Sequence, residues 1–182
     1  MLLIGGDPAH GSYDHGMIDK KTGRREADVT LLLVKMLRDL QASKHTVILT
    51  RQSNDYVSLQ ERLHILLGAS CDIVFTFHLE YNRDRRKDFK FNACGIYYLD
   101  RNREYQFIAR KINRGISRAF SEHSGNARRA WTYPAHAYLV RKVPRCFLIR
   151  APYLLTSSNL SEDVEELCNG IGYGLELVEN RR

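Results

Sequence analysis

Leu2-Leu3-Ile4-Gly5-Gly6-Asp7-Pro8-Ala9-His10-Gly11 is an apolar run that passes directly into a polar, glycine-containing segment. A second apolar run, Ile73-Val74-Phe75-Thr76-Phe77, ends in the same way, with His78. Between the two runs, apolar residues recur with a period of 3.6 over residues 27–40, which is typical of an amphipathic helix. Apolar runs that are separated by helices of this length predict a mostly parallel sheet covered by helices. The predicted fold class is therefore α/β.

The rest of the chain continues this alternation of strands and helices. Ser58-Leu59-Gln60-Glu61 has the spacing of a capping box and predicts a helix that runs through Leu67. We further predict strands over residues 46–50, 73–78, 95–99, 137–140 and 146–149, and helices over residues 104–120 and about 161–178. The composition of residues 81–92 and 125–135 predicts surface loops.

The composition is that of one soluble globular domain over residues 1–182. The chain is 43% apolar and 27% charged, and no apolar run approaches the ~18 residues that span a bilayer. The first residues lack the basic and apolar regions of an export signal, so we expect a mature or trimmed chain, or one exported by another route. The four cysteines form no Cys-x-x-Cys pair and are predicted to be buried thiols: Cys71, Cys94, Cys146 and Cys168.

Two histidines and one glutamate are the candidate metal ligands. His10 and His78 follow predicted parallel strands, whose carboxyl ends share one edge of the sheet, and Glu26 stands where the first helix begins. Two His and one Glu commonly hold catalytic zinc, with a fourth position open for water. Each residue alone also fits a structural role, because a glutamate in the first turn of a helix interacts favourably with the helix dipole. Asp14 and His15 are close enough in sequence to orient a histidine ligand.

An ordered set of motifs resembles the zinc-dependent N-acetylmuramoyl-L-alanine amidases of the third amidase family, the cell-wall hydrolases and phage endolysins. The match extends over nearly the whole chain. Asp7-Pro8-Ala9-His10-Gly11-Ser12 resembles the opening Asp-Pro-Gly-His-Gly-Gly of the family. The further motifs are Val47-Ile48-Leu49-Thr50-Arg51, Asp55-Tyr56-Val57-Ser58-Leu59 with Glu61-Arg62, Ala69-Ser70-Cys71-Asp72-Ile73 leading to Phe77-His78, Gly95-Ile96-Tyr97-Tyr98, and Tyr138-Leu139-Val140-Arg141.

The resemblance implies a mixed sheet of about six strands with flanking helices. It also implies that zinc, Zn2+, is held by His10, Glu26 and His78. The implied reaction is hydrolysis of the amide between N-acetylmuramic acid and L-alanine in peptidoglycan. Such a protein would act outside the cytoplasm, at the cell wall, as a phage lysin or a resident autolysin.

The net charge of +7 indicates an anionic partner without identifying it. Basic clusters occur at Arg83-Asp84-Arg85-Arg86-Lys87, Arg128-Arg129 and Arg141-Lys142. An anionic wall polymer fits this charge and the family resemblance together. Nucleic acid fits the charge alone, so we do not expect it to be the partner.

One catalytic residue of the family has no counterpart in this sequence. The family carries a second Glu, the general base, on a late strand after a proline. Counting from Pro144 puts Ile149 at that position, whereas alignment on the Leu-Ile pair and Tyr153 puts Arg150 there. Neither residue is an acid, and losing a general base typically costs about 10²–10⁴-fold in rate.

Three interpretations of this departure remain open. Glu80 lies two residues beyond His78, on the same side of an extended strand, and would serve as a substitute base. Arg150 would bind a substrate carboxylate with its planar two-pronged guanidinium. Alternatively, both are solvated side chains, and the chain is a catalytically impaired amidase-like domain that binds the wall or regulates. The aromatic residues of the later chain either line a substrate groove or belong to the core: Trp131, Tyr133 and Tyr138.

Overall fold

The computed structural model describes residues 1–79, 94–99, 102–119, 124–129 and 138–180, with only the backbone for 124–129 and 152–153. Six strands form one mixed sheet, and helices cover both of its faces, as the sequence predicts. The strands are β1 Leu3–Pro8, β2 Thr46–Leu49, β3 Ile73–His78, β4 Cys94–Tyr98, β5 Ser124–Arg129 and β6 Cys146–Arg150. The helices are α1 Glu26–Gln41, α2 Leu59–Gly68, α3 Arg103–Ala119, α4 Tyr138–Lys142 and α5 Leu160–Glu179, with a 3₁₀ turn at Pro152–Leu155.

Four parallel strands bring their carboxyl ends to one edge of the sheet. The strand order is β2-β1-β3-β6-β4-β5, and β2, β1, β3 and β6 are parallel to one another. β4 runs antiparallel to β6, and β5 is parallel to β4. Pro8, His78 and Arg150 therefore end neighbouring strands on the same side of the molecule, and the loop that carries His10 begins there.

The two faces of the sheet have separate cores. Phe75, Phe77 and Ile149 point to the larger core, which α1, α3 and α5 cover. Val74 and Leu148 point to the smaller core, which α2 and α4 cover. Side chains alternate between faces along a strand, so His78 and Arg150, at the ends of β3 and β6, share the face of α2 and α4.

Two predictions for the second half of the chain were wrong. Residues 124–129 of the predicted loop form β5, an edge strand whose backbone pairs with β4. Its sequence, Ser-Gly-Asn-Ala-Arg-Arg, lacks the apolar alternation by which a strand is recognised from sequence. The predicted strand 137–140 is the start of α4, whose Leu139 and Val140 are both buried. A short apolar run does not distinguish a strand from a buried helical turn. The predicted loop 81–92 lies outside the described residues.

Other predictions for the described residues are confirmed. α2 begins with a complete capping box, in which the Ser58 side chain accepts from the Glu61 backbone and the Glu61 carboxylate accepts from the Ser58 backbone. All four cysteines are free thiols, and Cys71 alone is only half-buried. None of the helices in the described ranges has the length and apolar character that a membrane crossing requires.

Glycines allow α3 and α5 to approach closely. A Cβ on Gly115 would lie 2.1 Å from the backbone oxygen of Gly170, and a Cβ on Gly174 would lie 2.5 Å from the Cα of Ile112. The glycines that weaken α5 by propensity are therefore required by its packing.

We predict that Gly115→Ala lowers the free energy of unfolding by about 1–3 kcal/mol, because the helices must separate to admit the methyl group. Gly68→Ala is the matched control, since a Cβ at Gly68 meets nothing within 4 Å. Urea denaturation of both variants measures the difference. Equal stability of Gly115→Ala and the parent would show that the α3–α5 contact is not close-packed.

Candidate metal centre

His10, Glu26 and His78 converge at the carboxyl edge of the sheet. Each offers one ligand atom, and these atoms all lie within 4.8 Å of one another. Nε2 of His10 is 3.5 Å from Oε2 of Glu26, and Nδ1 of His78 is 3.3 Å from Oε1 of the same carboxylate. The two imidazole rings meet edge to face, with centroids 5.5 Å apart. The structure therefore brings together all three residues that the sequence singles out as ligands.

Glu26 is the fully buried first residue of α1. Its Oε2 accepts a hydrogen bond from the backbone N–H of Met17 at 3.0 Å, and its Oε1 accepts one from the N–H of Leu79 at 2.8 Å. Burial alone raises the pKa of this carboxyl, but His10 and His78 outweigh burial and hold the pKa well below its usual range. The site is therefore built around a fixed negative charge.

His10 is oriented by a second carboxylate. Its Nδ1 lies 2.9 Å from Oδ1 of Asp14, which leaves Nε2 facing Glu26. Burial lowers the pKa of the His10 ring, yet Glu26 and Asp14 outweigh it and raise the pKa to about 9. Asp14 therefore lies where the sequence suggests an orienting residue. Nδ1 of His15 makes no hydrogen bond in the described part of the chain.

Arg62 fixes the strand end from which His10 projects. Its Nη1 donates to the buried carboxylate of Asp7 at 2.7 Å and to the Pro8 carbonyl at 2.5 Å, and its Nη2 donates to the His10 carbonyl at 2.6 Å. The hydroxyls of Thr50 and Thr76 donate to the two oxygens of Asp7 at 2.6 and 2.7 Å. The backbone of His10, which has a φ of +60°, is thus held by a buried charged network.

Arg51 connects the same loop to α1. Its Nη2 donates to the carbonyls of Ala9 and Ala27 at 3.0 and 2.6 Å, and its Nε donates to the Pro8 carbonyl at 3.2 Å. Burial, followed by the charge of Arg62, lowers the pKa of Arg51 to about 10. Arg51 ties the segment that carries His10 to the helix that begins with Glu26. Arg51 and Arg62 both lie in the motifs described above, but the sequence pattern does not predict that they hold the His10 loop. The position of Arg51 directly after the apolar residues of β2 is the feature that could have indicated it.

A cavity of about 220 Å³ opens beside the ligand cluster on the face of α2 and α4. Its walls combine aromatic, aliphatic and charged side chains. The lining residues are Asp7, Ala9, His10, Asp14, Tyr56, Val57, Leu59, Arg62, Thr76, His78, Tyr138 and Leu139.

Strand register distinguishes the two candidate positions for the missing carboxylate. Arg150 is the direct partner of His78 and shares its face of the sheet, whereas Ile149 is fully buried in the opposite core. The guanidinium of Arg150 lies over the ring of Tyr97, 5.9 Å from its centroid. The position next to His78 is therefore occupied by a cation. Glu80, the alternative base, lies outside the described residues.

Comparison with known proteins gives one consistent result. Residues 4–157 match the family described as N-acetylmuramoyl-L-alanine amidase. The chain is similar to a probable N-acetylmuramoyl-L-alanine amidase, AmiB, of Haemophilus influenzae, with 33% identity over 89 residues, which are 47% of this chain and 21% of that protein. It is similar to the N-acetylmuramoyl-L-alanine amidase LytC of Bacillus subtilis, with 34% identity over 77 residues, 42% of this chain and 15% of that protein. The chain thus spans about a fifth or less of the length of these curated relatives.

A solved structure shares the fold over the full length. The N-acetylmuramoyl-L-alanine amidase from Clostridium difficile 630 superposes with a TM-score of 0.82, covering 100% of this chain and 98% of that one. The sequence identity is 17%, so this likeness concerns the fold alone.

We predict that Asp7→Asn lowers the free energy of unfolding at pH 7 by about 3–5 kcal/mol, because it leaves the buried Arg62 without its counter-charge. Burial raises the pKa of Asp7, but Arg62 and the two threonine hydroxyls outweigh burial and lower it. Because the pKa of Asp7 is lower in the folded state than in the unfolded state, its ionised carboxylate stabilises the fold at every pH above the unfolded-state pKa of about 4. This stabilisation is lost as the pH falls from that value through the folded-state pKa.

Urea denaturation at pH 7 and at pH 3 measures this prediction. The parent is expected to lose stability between the two pH values, and Asp7→Asn is expected to lose less. Asp39→Asn is the control, since Asp39 makes only an exposed ion pair with Arg38, worth about 0–1 kcal/mol. If Asp7→Asn lowers the free energy of unfolding at pH 7 no more than Asp39→Asn does, Asp7 does not anchor the end of β1.

Proposed function

Because the chain belongs to the N-acetylmuramoyl-L-alanine amidase family, we propose that it hydrolyses the amide between N-acetylmuramic acid and L-alanine in peptidoglycan, with zinc as cofactor. The observation that carries this proposal is the convergence of His10, Glu26 and His78 beside an open cavity. The proposed place of action is the cell wall, and anionic wall polymers are a further proposed partner for a chain of net charge +7.

The chemistry and spacing of the three residues fit zinc. Ligands that lie ~2.0–2.2 Å from a tetrahedral ion are roughly 3.4 Å apart. Oε2 of Glu26 lies 3.5 Å from Nε2 of His10, its Oε1 lies 3.3 Å from Nδ1 of His78, and one ligand atom from each residue lies within 4.8 Å of the other two. Nε2 of His10 is buried and makes no hydrogen bond within the described part of the chain, as expected of an atom reserved for a metal. Zinc held there would polarise the amide carbonyl and lower the pKa of a water towards ~7.

The remaining residues of the site bind and orient. Asp14 keeps Nε2 of His10 directed towards Glu26, and Arg51 and Arg62 keep the His10 loop in place. The cavity opens beside the ligand cluster on the side of α2 and α4. None of these residues is suited to remove a proton from water, because Asp7 is engaged by Arg62 and Asp14 by His10.

A second candidate function is wall binding or regulation with little hydrolysis. The cation of Arg150 beside His78 favours it, because the family resemblance leads us to expect a carboxylate at this position. In this alternative the fold and the metal are kept and the proton-transfer step is lost. The two functions differ in whether the site has a general base. If Glu80 replaces the missing carboxylate, the domain hydrolyses the amide; if it does not, the domain binds or regulates.

We predict that the purified chain binds about one zinc per molecule and that His78→Ala and Glu26→Gln each abolish this binding. Removal of one ligand leaves two protein ligands, one fewer than the three that hold zinc in catalytic sites. His64→Ala serves as the control because His64 is an exposed histidine of α2 outside the cluster. Metal analysis after dialysis measures the ratio. Unchanged zinc content in His78→Ala and Glu26→Gln would refute this ligand assignment.

We predict that Arg150→Glu cleaves purified peptidoglycan about 10²–10⁴-fold faster than the parent, because it restores a general base beside His78. Arg150→Gln is the matched control, which removes the positive charge without adding a carboxylate. Release of L-alanine amino termini from zinc-loaded protein measures the rate. Equal rates for all three proteins would show that Arg150 does not occupy the position of the base.

A companion variant tests Glu80 in the parent background. Loss of all cleavage in Glu80→Ala would identify Glu80 as the base and make the domain an active amidase. Full activity of Glu80→Ala would leave Glu80 without a catalytic role.

A further inference from the structure

Two exposed tyrosines stack on each other at the rim of the cavity. The rings of Tyr13 and Tyr56 have centroids 4.7 Å apart and planes that differ by 22°. They are 73% and 47% exposed, and they are the only aromatic side chains among the large exposed hydrophobic residues of the described ranges. Tyr56 also lines the cavity, so the pair continues the wall of the proposed active site.

The backbone beneath Tyr13 is held in a tight turn. Gly11 and Asp14 exchange two backbone hydrogen bonds, of 2.8 and 3.1 Å, which leave Ser12 and Tyr13 at the tip. Gly11 has a φ of +143°, and a Cβ on it would lie 2.1 Å from the Asp55 carbonyl. The turn is thus pressed against the segment that carries Tyr56.

That neighbouring segment is fixed to the turn and to the buried network. The side-chain oxygen of Asn54 accepts a hydrogen bond from the Ser12 N–H at 3.0 Å. The Nη1 of Arg51 donates to the Ser53 carbonyl at 2.9 Å. The two tyrosines are therefore placed by ordered backbone, and stacking costs little further entropy when a ligand arrives.

The charge around the platform favours a neutral ligand. Asp14 lines the cavity together with Tyr56, and the exposed Asp55 directly precedes Tyr56 in the sequence, so two carboxylates accompany the tyrosine pair. Tyr138 and Leu139 of α4 also line the cavity, and the last turn of α4 carries the exposed cations Arg141 and Lys142. A substrate with one neutral part and one carboxylate-bearing part would be oriented by this difference.

Resting on the amidase function proposed above, we propose that Tyr13 and Tyr56 form a platform that binds an N-acetylated sugar ring of the glycan strand. A pyranose ring presents an apolar face of C–H groups, which packs on an aromatic face. The glycan then leaves the ligand cluster over Tyr13 and Tyr56, and the carboxylate-bearing peptide leaves over α4. The amide between them lies at His10 and His78.

The test measures binding of the neutral tetramer of N-acetylglucosamine to the zinc-loaded full chain by titration calorimetry. Tyr13→Ala and Tyr56→Ala are each expected to raise the Kd by about three- to tenfold, because each removes one ring of the stacked pair on which the sugar rests. Tyr13→Phe keeps the ring and is expected to stay within about twofold of the parent. Leu67→Ala is the control, since Leu67 is an exposed apolar residue of α2 outside the cavity lining.

Each outcome decides the proposal independently of catalysis. No binding to the parent, or equal binding to the parent and both alanine variants, overturns it. The alternative outcome uses an acidic peptide that begins with L-alanine. If the two alanine variants weaken binding of this peptide and leave binding of the tetramer unchanged, the platform is a peptide site and the proposal is overturned. Peptidoglycan cleavage with no tyrosine-dependent sugar binding leaves the amidase function intact. Tyrosine-dependent sugar binding without cleavage supports the platform and counts against hydrolysis.

Discussion

The site depends on two buried guanidinium groups that bind the carbonyls at the end of β1. Arg62 is neutralised by Asp7 and holds the carbonyls of Pro8 and His10, while Arg51 joins Ala9 to Ala27 at the start of α1. A buried charge is costly unless it is paired and hydrogen-bonded. Arg62 meets both conditions through Asp7 and the two carbonyls, and Arg51 is hydrogen-bonded to the carbonyls of Pro8, Ser53, Ala9 and Ala27. The loop that carries His10 and the helix that begins with Glu26 are therefore held in one arrangement.

The need to compensate a buried charge also explains the ligand cluster. Glu26 is fully buried, and its carboxylate is stabilised by two backbone N–H groups and two imidazoles. Buried charges in proteins are usually paired or bind metals, and a buried carboxylate between two histidines is suited to either role. What distinguishes this chain within the proposed function is the cation of Arg150 at the neighbouring strand end, where proton transfer would need a carboxylate.

Much of the fold and the ligand set follows from local sequence pattern. His10 and His78 were predictable because parallel strands deliver the residues after them to one edge, and Glu26 because a helix begins at it. β5 and α4 were not, since the backbone pairing of a polar edge strand and the burial of one helical turn depend on neighbours far along the chain. The choice between Ile149 and Arg150 needed the register of β6 against His78, which no residue count supplies. The platform of Tyr13 and Tyr56 needed the contact between two loops 42 positions apart, joined by Ser12 and Asn54.

Anomalous diffraction at the zinc absorption edge, from crystals of the chain grown with zinc, tests directly whether His10, Glu26 and His78 hold the metal. We predict a single strong peak within ~2.0–2.2 Å of Nε2 of His10, Nδ1 of His78 and a carboxylate oxygen of Glu26. A strong peak elsewhere, or none at these three atoms in zinc-saturated crystals, would contradict this prediction.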